Sequence, residues 1–169
     1  MNQNSTRLVR DLMTVGVLTC APDTPLVNLA RLLLDKNCEA VVVMQAGHAL
    51  GVVGEDELVS AFKREAPEGL VAEDVIREGV PQVPPDIPLA AAAQLMQDQG
   101  VRTLFLMHHS GGIEYPAAQI SYRHLLRLLA AEDESELRDL GMHAERQSPL
   151  EAFIQRRDAA RKKVGRGAP

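Results

Sequence analysis

Side chains able to do chemistry are few in this chain and scattered along it. His108 and His109 are adjacent. On an extended segment such neighbours point to opposite sides, and no Cys or carboxylate cluster lies at ligand spacing from them, so they read as polar members of a loop rather than a metal pair. The run Glu55-Asp56-Glu57 could supply paired carboxylates. It stands at an expected helix start, where negative charge complements the helix dipole, and reads as a solvated N-terminus. Cys20 and Cys38 are expected to be small buried hydrophobes rather than a disulfide or redox switch. No Gly-x-Ser-x-Gly elbow, P-loop or dinucleotide-binding fingerprint occurs. The expectation is that this is no enzyme.

With 169 residues, 46% of them apolar, the chain can build one ordinary domain or two very small units that share a core. No apolar run approaches bilayer-spanning length, and residues 1–11 lack a charged-then-apolar leader, so a cytoplasmic protein without membrane contact is expected. Residues 1–131 carry 15 acids and 10 bases, a balance of −5, whereas 132–169 carry eight of each. An acidic body argues against nucleic acid as a partner, because phosphate affinity needs clustered Lys and Arg.

Sliding the chain against itself by 63 positions reveals a repeat. Asp11 falls on Asp74, Gly16-Val17 on Gly79-Val80, Pro22-Asp23 on Pro85-Asp86 and Pro25-Leu26 on Pro88-Leu89. Val41-Val42-Val43 falls on Leu104-Phe105-Leu106. Four extra residues then enter the second copy, so that Val53 pairs with Ile120 and Leu58 with Leu125. Both cysteines land on valines, Val83 and Val101, as small core residues should.

Each copy shows one order of elements. A short start (Val9–Met13, Ala72–Ile76) leads to a Pro-Asp-x-Pro-Leu turn, where Asp or Thr can cap a helix and proline suits its first position. Leu26, Leu29, Ala30 and Leu33 share one helical face, as do Leu89, Ala92, Ala93 and Met96. The uniformly apolar strands Ala40–Met44 and Thr103–Met107 are expected to be buried on both faces. A turn at Gln45–His48, a strand at Leu50–Val53 and a helix from about Asp56 to Lys63 complete the first copy. In the second copy the turn is His108–Glu114, and the last helix begins near Arg123. The link is Arg64–Leu70.

This doubled pattern resembles a CBS-domain pair, or Bateman module. In the first copy the resemblance rests on Val9-x-Asp11-x-Met13, Ala21-Pro22-Asp23-x-Pro25-Leu26, the Val41–Met44 strand and Gly51–Leu58. In the second it rests on Glu73–Ile76, Pro84-Pro85-Asp86-x-Pro88-Leu89 and Ile120–Leu125. It implies an α/β (α+β) fold: two tandem strand-helix-strand-strand-helix units, residues 1–66 and 67–130, forming a pseudo-two-fold disc, plus a tail at 131–169. It also implies a cleft between the units that takes adenosine-containing ligands such as AMP, ADP, ATP or S-adenosylmethionine.

In that family a Gly-x-x-Thr/Ser-x-x-Asp motif precedes the last helix; its hydroxyl and the helix N-terminus favour phosphate, and its Asp holds the ribose hydroxyls. Here the first copy reads Gly51-x-x-Gly54-x-x-Glu57, without the hydroxyl, and the second Ala118-x-x-Ser121-x-x-His124, without the carboxylate. Nucleotide-binding relatives carry an Arg just before the middle strand, which here is Arg102 in the second copy and Glu39 in the first. An anionic ligand would meet repulsion from Glu39 and a bidentate partner in Arg102. The resemblance therefore points to a second-copy site of Arg102, Ser121 and His124, with Gly54 and Glu57 as the weaker first-copy counterpart. A regulatory sensor that signals to a partner is expected; the alternative is a ligand-free dimerisation scaffold.

Exposed apolar helical stripes point to a homodimer. In the tail, Glu132–Leu140 reads as helix, and Ser148-Pro149-Leu150-Glu151 as a capping box opening a second one. Leu150, Phe153, Ile154 and Val164 form its stripe, amid Arg156, Arg157, Arg161, Lys162 and Lys163. Such a basic amphipathic helix suits a protein partner, an acidic surface or an anionic membrane; the alternative is a frayed chain end.

Overall fold

The computed structural model describes residues 7–133 and Glu136. The expectations for the second tail helix and its basic stripe, and most of the first tail helix, lie outside the described residues. Within them run α1 (Val9–Leu12), β1 (Thr14–Val15), β2 (Thr19–Cys20), α2 (Leu26–Lys36), β3 (Ala40–Gln45), β4 (His48–Gly54) and α3 (Glu55–Ala61). A 3-10 turn at Pro67–Gly69 lies in the link. Then follow α4 (Ala72–Val75), β5 (Arg77–Glu78), α5 (Leu89–Gln99), β6 (Thr103–Ser110), β7 (Ile113–Ser121) and α6 (Tyr122–Ala130). No helix among the described residues is long and apolar enough to cross a membrane.

The strands form two sheets, ordered β2-β3-β4-β5 and β1-β7-β6. A parallel bridge from Gln82 to Phe105 occupies, in the second sheet, the place that β2 holds in the first. Each sheet thus borrows its last strand from the opposite sequence copy. β1 pairs with β7 and β5 with β4, both antiparallel. The short helices follow their strands: Val9 and Leu12 of α1 join the core of Leu89, Met96, Leu104 and Ile120, while Ala72 of α4 joins that of Leu29, Val41 and Val53.

The apolar strands are buried on both faces because side chains alternate across a sheet. Val41 and Val43 face the helices of the first core, whereas Val42 faces Phe105, Met107 and Val52 in a third core between the sheets. Val41, Val42, Val43, Leu104 and Phe105 are all fully buried.

Several local expectations shift. Pro25 and Pro88 are not the first helical residues; each stands just outside with extended ψ, 139° and 148°, and no side chain caps the helix. The cap comes from the exchanged segments instead. Leu26 N–H donates to Leu70 O and Leu89 N–H to Arg7 O, each at 3.0 Å, which satisfies donors a helix start otherwise leaves open. The helices begin at Glu55 and Tyr122, one residue earlier than expected, and α3 ends at Ala61 rather than Lys63. His108 and His109 lie on β6, not in a loop: opposite Tyr115 and Glu114 they extend the hairpin to a turn at Gly111-Gly112. The β3–β4 turn consists of Ala46 and Gly47 alone, both at positive φ (51° and 81°), the geometry that suits strand twist.

Candidate functional site

The site grows from the way four helices start. In each, the side chain of the third residue reaches back to the N–H just before the helix. Asp11 accepts from Leu8 and Asp74 from Val71, both at 2.8 Å; Glu57 Oε2 accepts from Gly54 at 2.9 Å, and His124 Nδ1 from Ser121 at 3.1 Å. This is the reach-back half of a capping box. At positions 57 and 124, then, the side chains serve the backbone before they can serve any ligand. Gly54 sits under a crowded roof: a Cβ there would lie 3.0 Å from Glu39 O and 3.2 Å from Glu57 Oε2. The missing hydroxyl of the first copy is thus matched to the packing.

The first cleft lies at the junction of the units, lined by Glu39, Gly54, Glu57, Arg77, Arg102 and Thr103 among others. Arg102 follows α5 yet crosses to the start of α3, 2.9 Å from Asp56 Oδ1 and 3.6 Å from Glu55 Oε2. Arg77 donates to the carbonyls of Gln99 (2.7 Å) and Gly100 (3.0 Å), where the dipole of α5 is negative. Three carboxylates, of Glu55, Asp56 and Glu57, thus face two guanidiniums that are already engaged, while Glu39, also in the lining, turns its carboxylate to Arg123 and Thr103. The cavity encloses about 30 Å³, well below the size of an ordinary small-molecule site. Beyond that clamp lies an apolar groove of about 470 Å³, walled by Leu33, Leu34, Leu58, Val59, Arg102 and Arg123.

The second cleft, the position that the repeat makes equivalent to the first, holds Ser121, His124, Thr14, Glu39 and Arg123. Since Ser121 N–H donates to Nδ1 of His124, its ring proton belongs on Nε2, which donates to Thr14 Oγ1 at 2.7 Å. Ser121 Oγ lies 3.0 Å from the same Nδ1. Burial, and then the nearby Arg127, lower the pKa of His124 to about 4. Gln119, which occupies in β7 the place of Val52 in β4, has a buried Oε1 without a hydrogen-bond partner among the described residues.

The structure therefore brings Arg102 together with Gly54 and Glu57, and sets Ser121 and His124 in the opposite cleft. The reason lies in the face-to-face packing of β3 and β6: the residue preceding each middle strand reaches the other copy's last helix. Glu39 does the same as Arg102, its Oε1 lying 3.3 Å from the N–H of Arg123. Arg77, Thr14, Thr103 and Arg123 were missed from the sequence. The repeat holds a signal for the first two, since Thr14 and Arg77 stand 63 apart and are equivalents.

The sequence profile of the CBS domain matches the chain twice, at residues 9–64 and 71–131, and the chain belongs to the CBS-domain family. CBS pairs are regulatory modules. The fold is similar to an uncharacterized conserved protein from Pyrococcus horikoshii, at 15% identity and TM-score 0.65 over 77% of this chain and 97% of that one. It is similar to the CBS domain pair of protein MJ0100 in complex with 5′-methylthioadenosine and S-adenosyl-L-methionine, at 14% identity and TM-score 0.63 over 76% and 99%. It is also similar to the CBS-domain protein ATU1752 from Agrobacterium tumefaciens, at 23% identity and TM-score 0.63 over 72% and 98%. No curated protein matches the chain.

Proposed function

We propose that the chain is a cytoplasmic sensor whose first cleft binds an adenosine-containing compound that lacks a phosphate and passes its occupancy to a partner protein. The observation that carries this reading is the charge of the cleft, three carboxylates against two engaged guanidiniums. A polyphosphate would add like charge to that lining, whereas a neutral nucleoside or a sulfonium would not. Glu57 supplies the ribose acceptor, since its Oε1 takes no hydrogen bond from the described residues while Oε2 holds Gly54. MJ0100, with both its ligands phosphate-free adenosyl compounds, is a precedent for this chemistry in the fold. The output follows from Arg102, which walls both cleft and groove: a ligand that turns it off Glu55 and Asp56 reshapes the surface beside Leu34 and Val59.

A melting-temperature panel tests this. Methylthioadenosine or S-adenosylmethionine at 100 times its dissociation constant adds about 2.7 kcal/mol of stability. ATP should add far less, and Glu57→Ala should remove most of the gain. A second reading, a dimerisation scaffold without ligand, is favoured by the ion pairs that close the cleft around Arg102. It takes over if no adenosyl compound moves the melting temperature at millimolar concentration.

A further inference from the structure

The two clefts are related by the repeat but opposite in charge. At the start of α3 stand three acids, and a cation, Arg102, comes across to them. At the start of α6 stand Tyr122, Arg123 and His124, no acid among them, and an anion, Glu39, comes across instead. Its side chain is only 7% exposed. Oε1 accepts from the backbone N–H of Arg123 and lies 3.3 Å from its Nε, while Oε2 accepts from Thr103 Oγ1 at 3.4 Å. Arg123 is held in turn by Asn37 Oδ1 and, at 3.6 Å, by Glu55 Oε1.

An open backbone N–H at a helix start, a guanidinium and a hydroxyl are the donors that bind a phosphate or carboxylate. Here all three converge on a carboxylate of the chain itself. We propose that Glu39 is a tethered anion that permanently fills the anion position of the second cleft. It makes that cleft reject phosphate- and carboxylate-bearing compounds. A carboxylate fixed by the fold outcompetes a free one because it pays no association entropy at each encounter. The sealing is completed by His124, both of whose ring nitrogens are engaged.

Chemical rescue in the full chain tests this. Glu39→Ala leaves the donors with a space that a small carboxylate fits. The variant should melt lower by roughly 5 °C or more, and sodium formate should restore the loss saturably at constant ionic strength. The amide resonance of Arg123 should shift with formate in the variant and stay still in the wild-type chain. Inorganic phosphate should act likewise, more weakly where the space is short. Should Glu39→Ala not fold, Glu39→Gln keeps the bulk and removes the charge, and its Arg123 amide should move away from the wild-type position with a lower melting temperature. Formate acting equally on wild type and Glu39→Ala, or not at all on the variant, overturns the proposal, as does an unchanged melting temperature in Glu39→Gln. None of these readings uses an adenosyl compound, so the ligand assigned to the first cleft can fail while Glu39 stands, and the reverse.

Discussion

Protonating His124 in the folded chain would break the bond its Nδ1 accepts from Ser121, and burial offers no water in exchange. Burial, and then the nearby Arg127, also disfavour the charged ring and lower its pKa to about 4. The unfolded chain takes its proton near 6.5, so between the two values the unfolded state binds more protons than the folded one. The contribution is therefore complete above pH 6.5 and lost as pH falls towards 4, a total on the order of 3 kcal/mol. His124→Gln keeps an acceptor for Ser121 without a titrating proton. Its urea-unfolding free energy, measured from pH 7 to 4, should fall less steeply than that of the wild-type chain by that amount; parallel curves would show that His124 does not titrate in this window. Arg102 teaches a related lesson. Its type and its place before a middle strand were legible in the sequence, but its partners were not, because they depend on which helix the opposite copy brings to it.

At the level of elements, the repeat carried most of the fold. Proline-punctuated helix starts and apolar strands recur at a fixed offset, and physical periodicity then assigns their faces. What the residues near Pro25 and Pro88 could not disclose was the cap, since it comes from backbone carbonyls at Leu70 and Arg7 that are remote or belong to the other copy. The hairpin at His108 was hidden for a different reason: its polar residues have no core to face, and only cross-strand pairing with Tyr115 and Glu114 defines them as strand. Gly51 shows how tightly the exchanged strand is fitted. A Cβ there would stand 2.1 Å from Arg77 O, inside any permitted contact. Gly51→Ala should therefore cost at least about 2 kcal/mol by forcing β5 off β4. Because Arg77 lines the first cleft, it should also weaken the adenosyl-dependent rise in melting temperature; a variant as stable as wild type would show that β5 is free to move.

Over the whole molecule, the third core joins the two sheets through Phe105, Val42 and Val52, so the units should melt together. The outside is less complete. Leu34 (81% exposed) and Leu129 (74%), on helices of the two copies, and Phe62 (80%), just past the end of α3, leave large apolar side chains in water. The homodimer expected from the sequence would cover them. Light scattering at micromolar concentration should give twice 18.4 kDa for the wild-type chain, and Phe62→Glu with Leu129→Glu should reduce it to 18.4 kDa without changing the circular dichroism spectrum. A monomeric wild-type chain would rule this assembly out.

The borrowed strands carry a consequence for how such a chain can be divided. A cut in the link near residue 66 separates β1 and α1 from the sheet and core they complete, and β5 and α4 from theirs. Each resulting peptide would hold the greater part of one core and the missing edge of the other. Neither should fold alone, yet together they need form no contact that the intact chain lacks. Peptides 1–66 and 67–169, expressed separately, should each give a disordered amide spectrum and, on mixing at equal concentration, recover the dispersed spectrum of the whole protein. Independent folding of either peptide would mean that the sequence repeat, and not the exchanged pairing, is the cooperative unit. If mixing restores the fold, the pair is by construction a split reporter, whose reassembly should tighten when a compound enters the first cleft.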